Sequence, residues 1–395
     1  AYVLAPVYQD PLLLYLTGVN QLNTAVILDP KRQRSILFVP QYDKKKEFWD
    51  GVRVSYGDAQ HNKSMKALTG VDDIQSLDSF MGYVLKMVKD GSLNQLGLLW
   101  HQSKLKRRAI IRDSHYRFRQ RLRRQLARHK LSVSFVNIAD VQWALRLVLD
   151  KESIKNVHAG IEKTRRAFTK TMSELQDCKS ETQLAGHLIG ALLAESEFGL
   201  SFPPIVAAGK NATILHYVKN NSAIKHNDLI LLDFGIKWQQ IHTDISRTVP
   251  ASGQFNPLQK CVYDIVIKAQ ALVESFVKPG VSITEFNVKC WDFIHQEITT
   301  QITNNGGIAT LDYDKSPHFV SHLIGTQTHD GDPFGNYRPQ PLKEGYLLSN
   351  EPGIYGYFEQ RINGKLYKEY IGIRIEDMLL VTKNGCHNLS SEIPK

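Results

Sequence analysis

Four stretches in the second half of the chain carry polar residues inside otherwise apolar runs: LLDFGIKWQQIHTDISRTVP from residue 231, SPHFVSHLIGTQTHD from 316, LLSNEPGIYG from 347 and YIGIRIEDMLLV from 370. The first holds Asp233 and Asp244, eleven positions apart. On one strand, at roughly 3.3 Å per residue, they would stand about 36 Å apart on opposite faces. On one helix they would share a face about 16 Å apart. A turn region at Lys237, Trp238, Gln239 and Gln240 between two antiparallel strands brings them together. Two buried carboxylates side by side then repel unless a proton or a cation lies between them. The same pair would also read as one solvated and one turn aspartate.

The other stretches add His318, His322 and His329, then Glu351 ahead of Pro352-Gly353, then Arg374 and Glu376. The last two are two residues apart and are expected on one strand face, with Ile373 and Ile375 on the other. Asp233, Asp244, His322, Glu351 and Glu376 together make four carboxylates and one imidazole. Hard oxygen donors with a single nitrogen suit Mn²⁺, Co²⁺, Zn²⁺ or Mg²⁺, and the lack of a thiolate disfavours structural zinc. Four anions suffice for two divalent ions about 3.5–4 Å apart with a hydroxide nucleophile between them. Without such cations four apposed carboxylates are strongly destabilising.

Positioning such a set needs rigid strands on a helical support. Up to about residue 145 the pattern alternates strand and helix, with strand-like runs starting at Thr24, Ser35, Asn94 and Leu131. This predicts an α/β amino-terminal domain over 1–150. From Lys151 long helices take over, expected at 151–176, 181–198, 257–277 and 284–300, with strands between and after them. The two helix pairs look alike and hint at a duplicated unit. The second domain is expected over 151–395.

The bulk numbers suit a globular protein: 395 residues, 42% hydrophobic and 22% charged. No apolar run reaches the roughly 18–20 residues of a membrane span, so no membrane partner is expected. The start, AYVLAPVYQDPLLLYLTG, lacks a basic n-region and a cleavage site, so no signal peptide is expected. It also lacks an initiator Met, and the first domain is expected to be trimmed or incomplete at its start. Cys178, Cys261, Cys290 and Cys386 form no CxxC pair, which suits a reducing compartment, and a cytoplasmic location is expected. The net charge of +10 is local. Lys104 to Lys130 carries twelve Lys and Arg against Asp113 alone. Ile111, His115, Phe118, Leu122 and Leu126 recur at helical spacing, so the segment reads as an amphipathic helix with a basic outer face. A solvated face is the plain reading and an anionic partner the sharper one; aromatic interleaving is thin, and no nucleic-acid partner is expected.

The order Asp233, Asp244-Ile245-Ser246-Arg247-Thr248, His318-x-x-x-His322, Glu351-Pro352-Gly353 and Gly372-Ile373-Arg374-Ile375-Glu376-Asp377 resembles the pita-bread metallopeptidases, and among them the Xaa-Pro aminopeptidase (aminopeptidase P) group. Ile214-Leu215-His216-Tyr217 resembles the family's histidine segment. Tyr15 to Asn20 and Phe48 to Arg53 resemble its amino-terminal domain. The resemblance implies an α+β fold: a pita-bread (creatinase/aminopeptidase-like) catalytic domain behind a smaller α/β, creatinase-N-like domain. It implies release of the first residue from peptides with proline second, and two divalent metal ions, Mn²⁺ first with Zn²⁺ or Co²⁺ as alternatives. Asp244 and Glu376 would bridge the ions, Asp233 would bind one, and His322 and Glu351 the other. Glu351 would handle the proton of the hydroxide, and His329 would steady the scissile carbonyl. His216, His318 and Tyr355 would wall the proline pocket, Arg374 would support Glu376 and the substrate, and Arg338 would stand near the leaving prolyl peptide. A homo-oligomer, dimer or tetramer, is implied as well.

The chain departs from the family pattern in places. Phe319 replaces the glycine of His-Gly-x-x-His, so backbone approach at the pocket differs. Gln239-Gln240-Ile241-His242-Thr243 precedes Asp244 where a Gly-Tyr pair is common. Gly-Leu-Asp-Val-His becomes Gly325-Thr326-Gln327-Thr328-His329, and the Arg-Gln-Asp stretch before Tyr15 survives only as Gln9-Asp10, without upstream acidic residues. Two other functions fit the same residues: a prolidase confined to dipeptides, and a non-catalytic binding protein that uses the basic helix.

Overall fold

A computed structural model of the chain describes residues 9–99, 114–332 and 335–395. The chain divides into two compact units, Ala1–Arg146 and Leu147–Lys395.

In the first unit β1 (Ala25–Asp29) and β2 (Arg34–Val39) form an antiparallel hairpin, and β3 (Asp73–Ser76) joins β2 in parallel. A parallel pair of β4 (Gln95–Leu98) and β5 (Ser134–Asn137) stands beside it in sequence. Parallel neighbours need a crossover connection; the helix Ala59–Thr69 lies on one and the helix Ser114–Arg128 on the other. Ile36 to Val39 are fully buried in β2, which is why that strand reads as a continuous apolar run. The helix Ser114–Arg128 buries Leu122 and Leu126 against Val84 and leaves Arg117, Arg121, Arg124 and Arg128 exposed. The earlier part of the expected basic helix, residues 104–113, lies outside the described residues. Among the described residues no helix is long and apolar enough to cross a membrane.

The second unit holds two helix pairs, Lys151–Ser173 with Glu181–Glu195 and Pro257–Phe276 with Ile283–Gln301. Their starts are set locally. Asp150 and Ser180 cap by side chain, and Asn256 with Gln259 and Ser282 with Glu285 close reciprocal capping boxes. The strands are β6 (Ile205–Ala208), β7 (Leu229–Phe234), β8 (Lys237–Trp238), β9 (Ile241–His242), β10 (Ile245–Pro250), β11 (Ile308–Leu311), β12 (Leu347–Asn350), β13 (Gly353–Ile362), β14 (Lys365–Arg374), β15 (Asp377–Val381) and β16 (Cys386–Asn388). They build three antiparallel sheets, β10-β7-β6, β11-β13-β14 and β12-β15-β16, and the small hairpin β8-β9.

Strand β7 is covered on both faces. Ile230, Leu232 and Phe234 pack on the first helix pair, where the Phe168 and Phe234 rings stack with centroids 5.3 Å apart. Leu231 faces the other way, towards Ile205, Tyr217 and Tyr355. By the two-residue period of a strand, Asp233 shares the face of Leu231. That face holds the site.

Candidate metal centre

Asp233 and Asp244 meet, although the connection differs from the expected one. The turn is Gln239–Gln240 alone, with Gln239 at φ 53°. Lys237 and Trp238 are strand residues paired with His242 and Ile241. Across the β7–β10 ladder the partner of Asp233 is Ser246, and Asp244 sits just before β10. The hairpin folds back so tightly that a Cβ on Gly235 would lie 1.9 Å from the Thr243 carbonyl oxygen; only glycine fits there. Arg374 and Glu376 do not share a strand either. Strand β14 ends at Arg374, and Glu376 lies in the link to β15, where its N–H donates to the Ser246 carbonyl at 3.0 Å.

The five expected ligands converge. One ligand atom each from Asp233, Asp244 and Glu376 lie within 4.8 Å of one another, and so do atoms of His322, Glu351 and Glu376. Glu376 belongs to both groups. The Nε2 of His322 stands 3.3 Å from Asp244 Oδ2 and 3.3 Å from Glu351 Oε1, while its Nδ1 faces the Leu323 carbonyl at 3.2 Å. With Nδ1 as donor, the Nε2 lone pair points into the carboxylates, the tautomer a metal ligand needs.

The donor set fits divalent cations. Burial pushes the carboxyls of Asp244, Glu351 and Glu376 above the ordinary carboxylate range, and for Glu376 the charges of Asp244, Glu351 and Asp233 add to it. Four ionised carboxylates therefore need more positive charge than Arg374 supplies, even with His322 protonated. The Oδ1 of Asp233 is buried and has no hydrogen-bond partner among the described residues, as expected of an atom kept for a ligand.

These groups open into a cavity of about 480 Å³ that Phe202, Pro203, Leu215, His216, Phe319 and Arg338 also line. His318 and His329 are on its wall. Burial pulls the His318 imidazole down to about 4, and the charge of His322, with burial second, pulls His329 down to about 3. Both are neutral rings at physiological pH. Arg338 lies with its Cζ 4.2 Å over the Phe319 ring, so the residue in the glycine position supplies a cation–π platform for this arginine.

Residues 155–383 match metallopeptidase family M24, and residues 5–96 match the aminopeptidase P N-terminal domain. The chain belongs to metallopeptidase family M24. Xaa-Pro aminopeptidase 3 of Homo sapiens is 30% identical over 400 residues, covering 98% of this chain and 75% of the relative. The Xaa-Pro aminopeptidase of Escherichia coli is 26% identical over 402 residues, covering 99% and 87%. A solved structure of aminopeptidase P from E. coli with the inhibitor Pro-Leu matches with a TM-score of 0.78 over 99% of this chain and 88% of that one, at 24% identity, a likeness of fold. The chain is thus a metal-dependent peptidase, with the α+β, pita-bread architecture that the resemblance implied.

Within this M24 peptidase the remaining expected residues take distinct places. His216 is exposed on the cavity wall. Tyr355 is set back, 1% exposed, with its hydroxyl 3.2 Å from His318 Nε2 and accepting from Arg374 Nη1 at 3.1 Å. Arg374 Nη2 donates to Asp233 Oδ2 at 2.6 Å, and its Nε donates to Ser246 Oγ at 3.0 Å. Arg374 therefore reaches Glu376 only through Ser246.

Sequence reasoning missed the hydroxyls that hold the carboxylates. Ser246 Oγ donates to Glu376 Oε2 at 2.9 Å; Ser349 Oγ donates to Glu351 Oε1 at 3.2 Å and accepts the His322 N–H at 2.9 Å. Each stands two residues from an expected ligand (Asp244 or Glu351), and that short spacing was the available signal. Glu181 was missed too. It is fully buried and accepts from Ala208 N and Asn211 Nδ2 on one oxygen, and from Tyr217 OH and Ser222 N on the other, at 2.8–2.9 Å. It thereby pins the segment that carries His216. A Cβ on Gly372 would lie 2.1 Å from the Ala212 carbonyl oxygen, so the same segment can lie on β14 only because that residue is glycine.

Proposed function

We propose that the chain is a two-metal Xaa-Pro aminopeptidase, releasing the first residue from peptides with proline in second position. The observation that carries this reading is the pair of ligand triads joined at Glu376, open to a cavity walled by neutral His318 and His329. In this reading Asp244 and Glu376, with Asp233 on one side and His322 and Glu351 on the other, would hold two cations. Two divalent cations, Mn²⁺ first, would supply there an activated water and the charge that polarises the scissile carbonyl. Glu351 accepts the proton of the attacking water and passes it to the leaving prolyl nitrogen. His329 donates to the oxygen that gains charge in the tetrahedral state. His216 and His318 wall the proline ring, Tyr355 and Arg374 fix His318 and Asp233 from behind, and Arg338 faces the leaving peptide.

The test is hydrolysis of an Xaa-Pro-Xaa tripeptide and an Xaa-Pro dipeptide by metal-stripped protein, with and without added Mn²⁺. Mn²⁺-dependent release of the first residue from the tripeptide, lost in Asp233→Ala, is the expected result. Cleavage of the dipeptide alone would make the protein a prolidase. No turnover of either substrate would overturn the proposal.

A further inference from the structure

Two of the stretches in which this chain departs from the family pattern touch each other. His242, two residues before Asp244, sets its Nδ1 2.9 Å from Thr328 Oγ1 across 86 residues of sequence. Thr328 stands where the pattern carries valine, which could make no such bond, and it lines the cavity next to His329. Both side chains are half-buried, and the Thr328 hydroxyl also donates to the Ser201 carbonyl at 3.4 Å, which leaves its oxygen to accept from His242 Nδ1.

The pair brackets one short loop. The His242 N–H donates to the Gly325 carbonyl at 3.0 Å, and the His242 ring holds the hydroxyl of Thr328, three residues on. From the other side Asp330 accepts from Thr326 N at 2.9 Å and from Gly331 N at 2.7 Å. Its carboxylate sits so close that a Cβ on Gly325 would lie 2.6 Å from Oδ2. His329 stands inside this bracket. Its ring packs on His322 with centroids 4.0 Å apart, but among the described residues its side chain makes no hydrogen bond. Its direction is therefore set by the backbone of the loop together with the His322 ring it packs on.

We propose that His242 is a positioning residue for His329, acting through its hydrogen bond to Thr328. The role of His329 in turnover rests on the aminopeptidase reading above; the placement of the ring does not. A misplacement of about 1 Å in such a group can cost up to about a hundredfold in rate, and a group that acts on the tetrahedral state shows its loss in kcat.

The experiment is a double-mutant cycle on Mn²⁺-loaded protein with an Xaa-Pro-Xaa tripeptide. His242→Ala and Thr328→Val should each lower kcat about tenfold with KM within about twofold, and the double variant should be no worse than either, because the two act as one unit. His242→Asn, whose amide lies near the Nδ1 position, should recover most of kcat. Thr328→Val is close to isosteric, so it keeps the test alive if His242→Ala folds poorly. The crystal structure of Thr328→Val reads the placement without turnover: a His329 ring displaced from His322 supports the proposal. An unmoved ring with unchanged kcat, or losses that multiply in the double variant, would overturn it. If the parent cleaves no Xaa-Pro peptide while the ring still moves, the functional reading fails and the positioning role stands.

Discussion

Removing one hydroxyl tests how the metal centre is held. Ser246 is fully buried and lies opposite Asp233 in the β7–β10 ladder. Its Oγ accepts from Arg374 Nε and donates to Glu376 Oε2, so Ser246→Ala takes one donor from the carboxylate common to both triads. A hydrogen bond to a charged group contributes about 1.5–3 kcal/mol, and each 1.4 kcal/mol is about tenfold in an equilibrium constant. The substitution also leaves Arg374 Nε buried without its acceptor, while Nη1 and Nη2 keep Tyr355 and Asp233. Mn²⁺ affinity should therefore fall about 10- to 100-fold, the range typical of groups that orient metal ligands. The assay is competition against a chelator of known affinity, with thermal unfolding in excess chelator as the check on the fold. A melting point within a few degrees of the parent, combined with the weaker affinity, is the expected pattern. Mn²⁺ affinity within twofold of the parent would refute the claim that Ser246 orients Glu376.

Arg247 is fully buried and donates to Asp377 Oδ1 at 2.8 Å and to the Glu376 carbonyl at 2.6 Å; Arg247→Met should cost about 3 kcal/mol, read as a lower urea midpoint and at the low end for breaking a buried ion pair, because Asp377 keeps Lys395, Asn388 and Ser390. Glu181→Gln replaces an acceptor of four hydrogen bonds by a group that can present one oxygen, so amide exchange should rise across residues 208–222, and unchanged protection there would count against the anchoring role of Glu181. In the first unit, burial alone would raise the Asp10 carboxyl, but the His115 ring and the Leu13 and Leu12 amides outweigh it and hold it below the usual aspartate range. A depressed carboxyl stabilises the fold above its unfolded value and loses that contribution as pH falls through the folded one. Asp10→Ala should therefore lower the stability of this unit at pH 7 and flatten its fall below about pH 4, where parent and variant should converge.

The residue types and their order were enough to pick out the carboxylates and the imidazole that the fold brings together. Asp233 in a run that is otherwise apolar, Glu351 ahead of Pro352-Gly353, and Glu376 beyond Arg374 each break a local pattern, and local pattern is what a sequence displays. The helix starts were legible for the same reason, since a capping box such as Ser282 with Glu285 is complete within four residues. The backbone paths between ligands were not. The fold-back at Gly235 depends on contact with Thr243, and Glu376 is placed by the Ser246 carbonyl from a strand 130 positions away. Ser246, Ser349 and Glu181 were illegible because a serine or a glutamate carries no mark of its partner; only burial in the folded chain removes the water that would otherwise satisfy them. His242 and Thr328 stood in the sequence as two unrelated departures. Tertiary structure made them a pair, because a hydrogen bond between residues 86 positions apart has no signature in either segment alone.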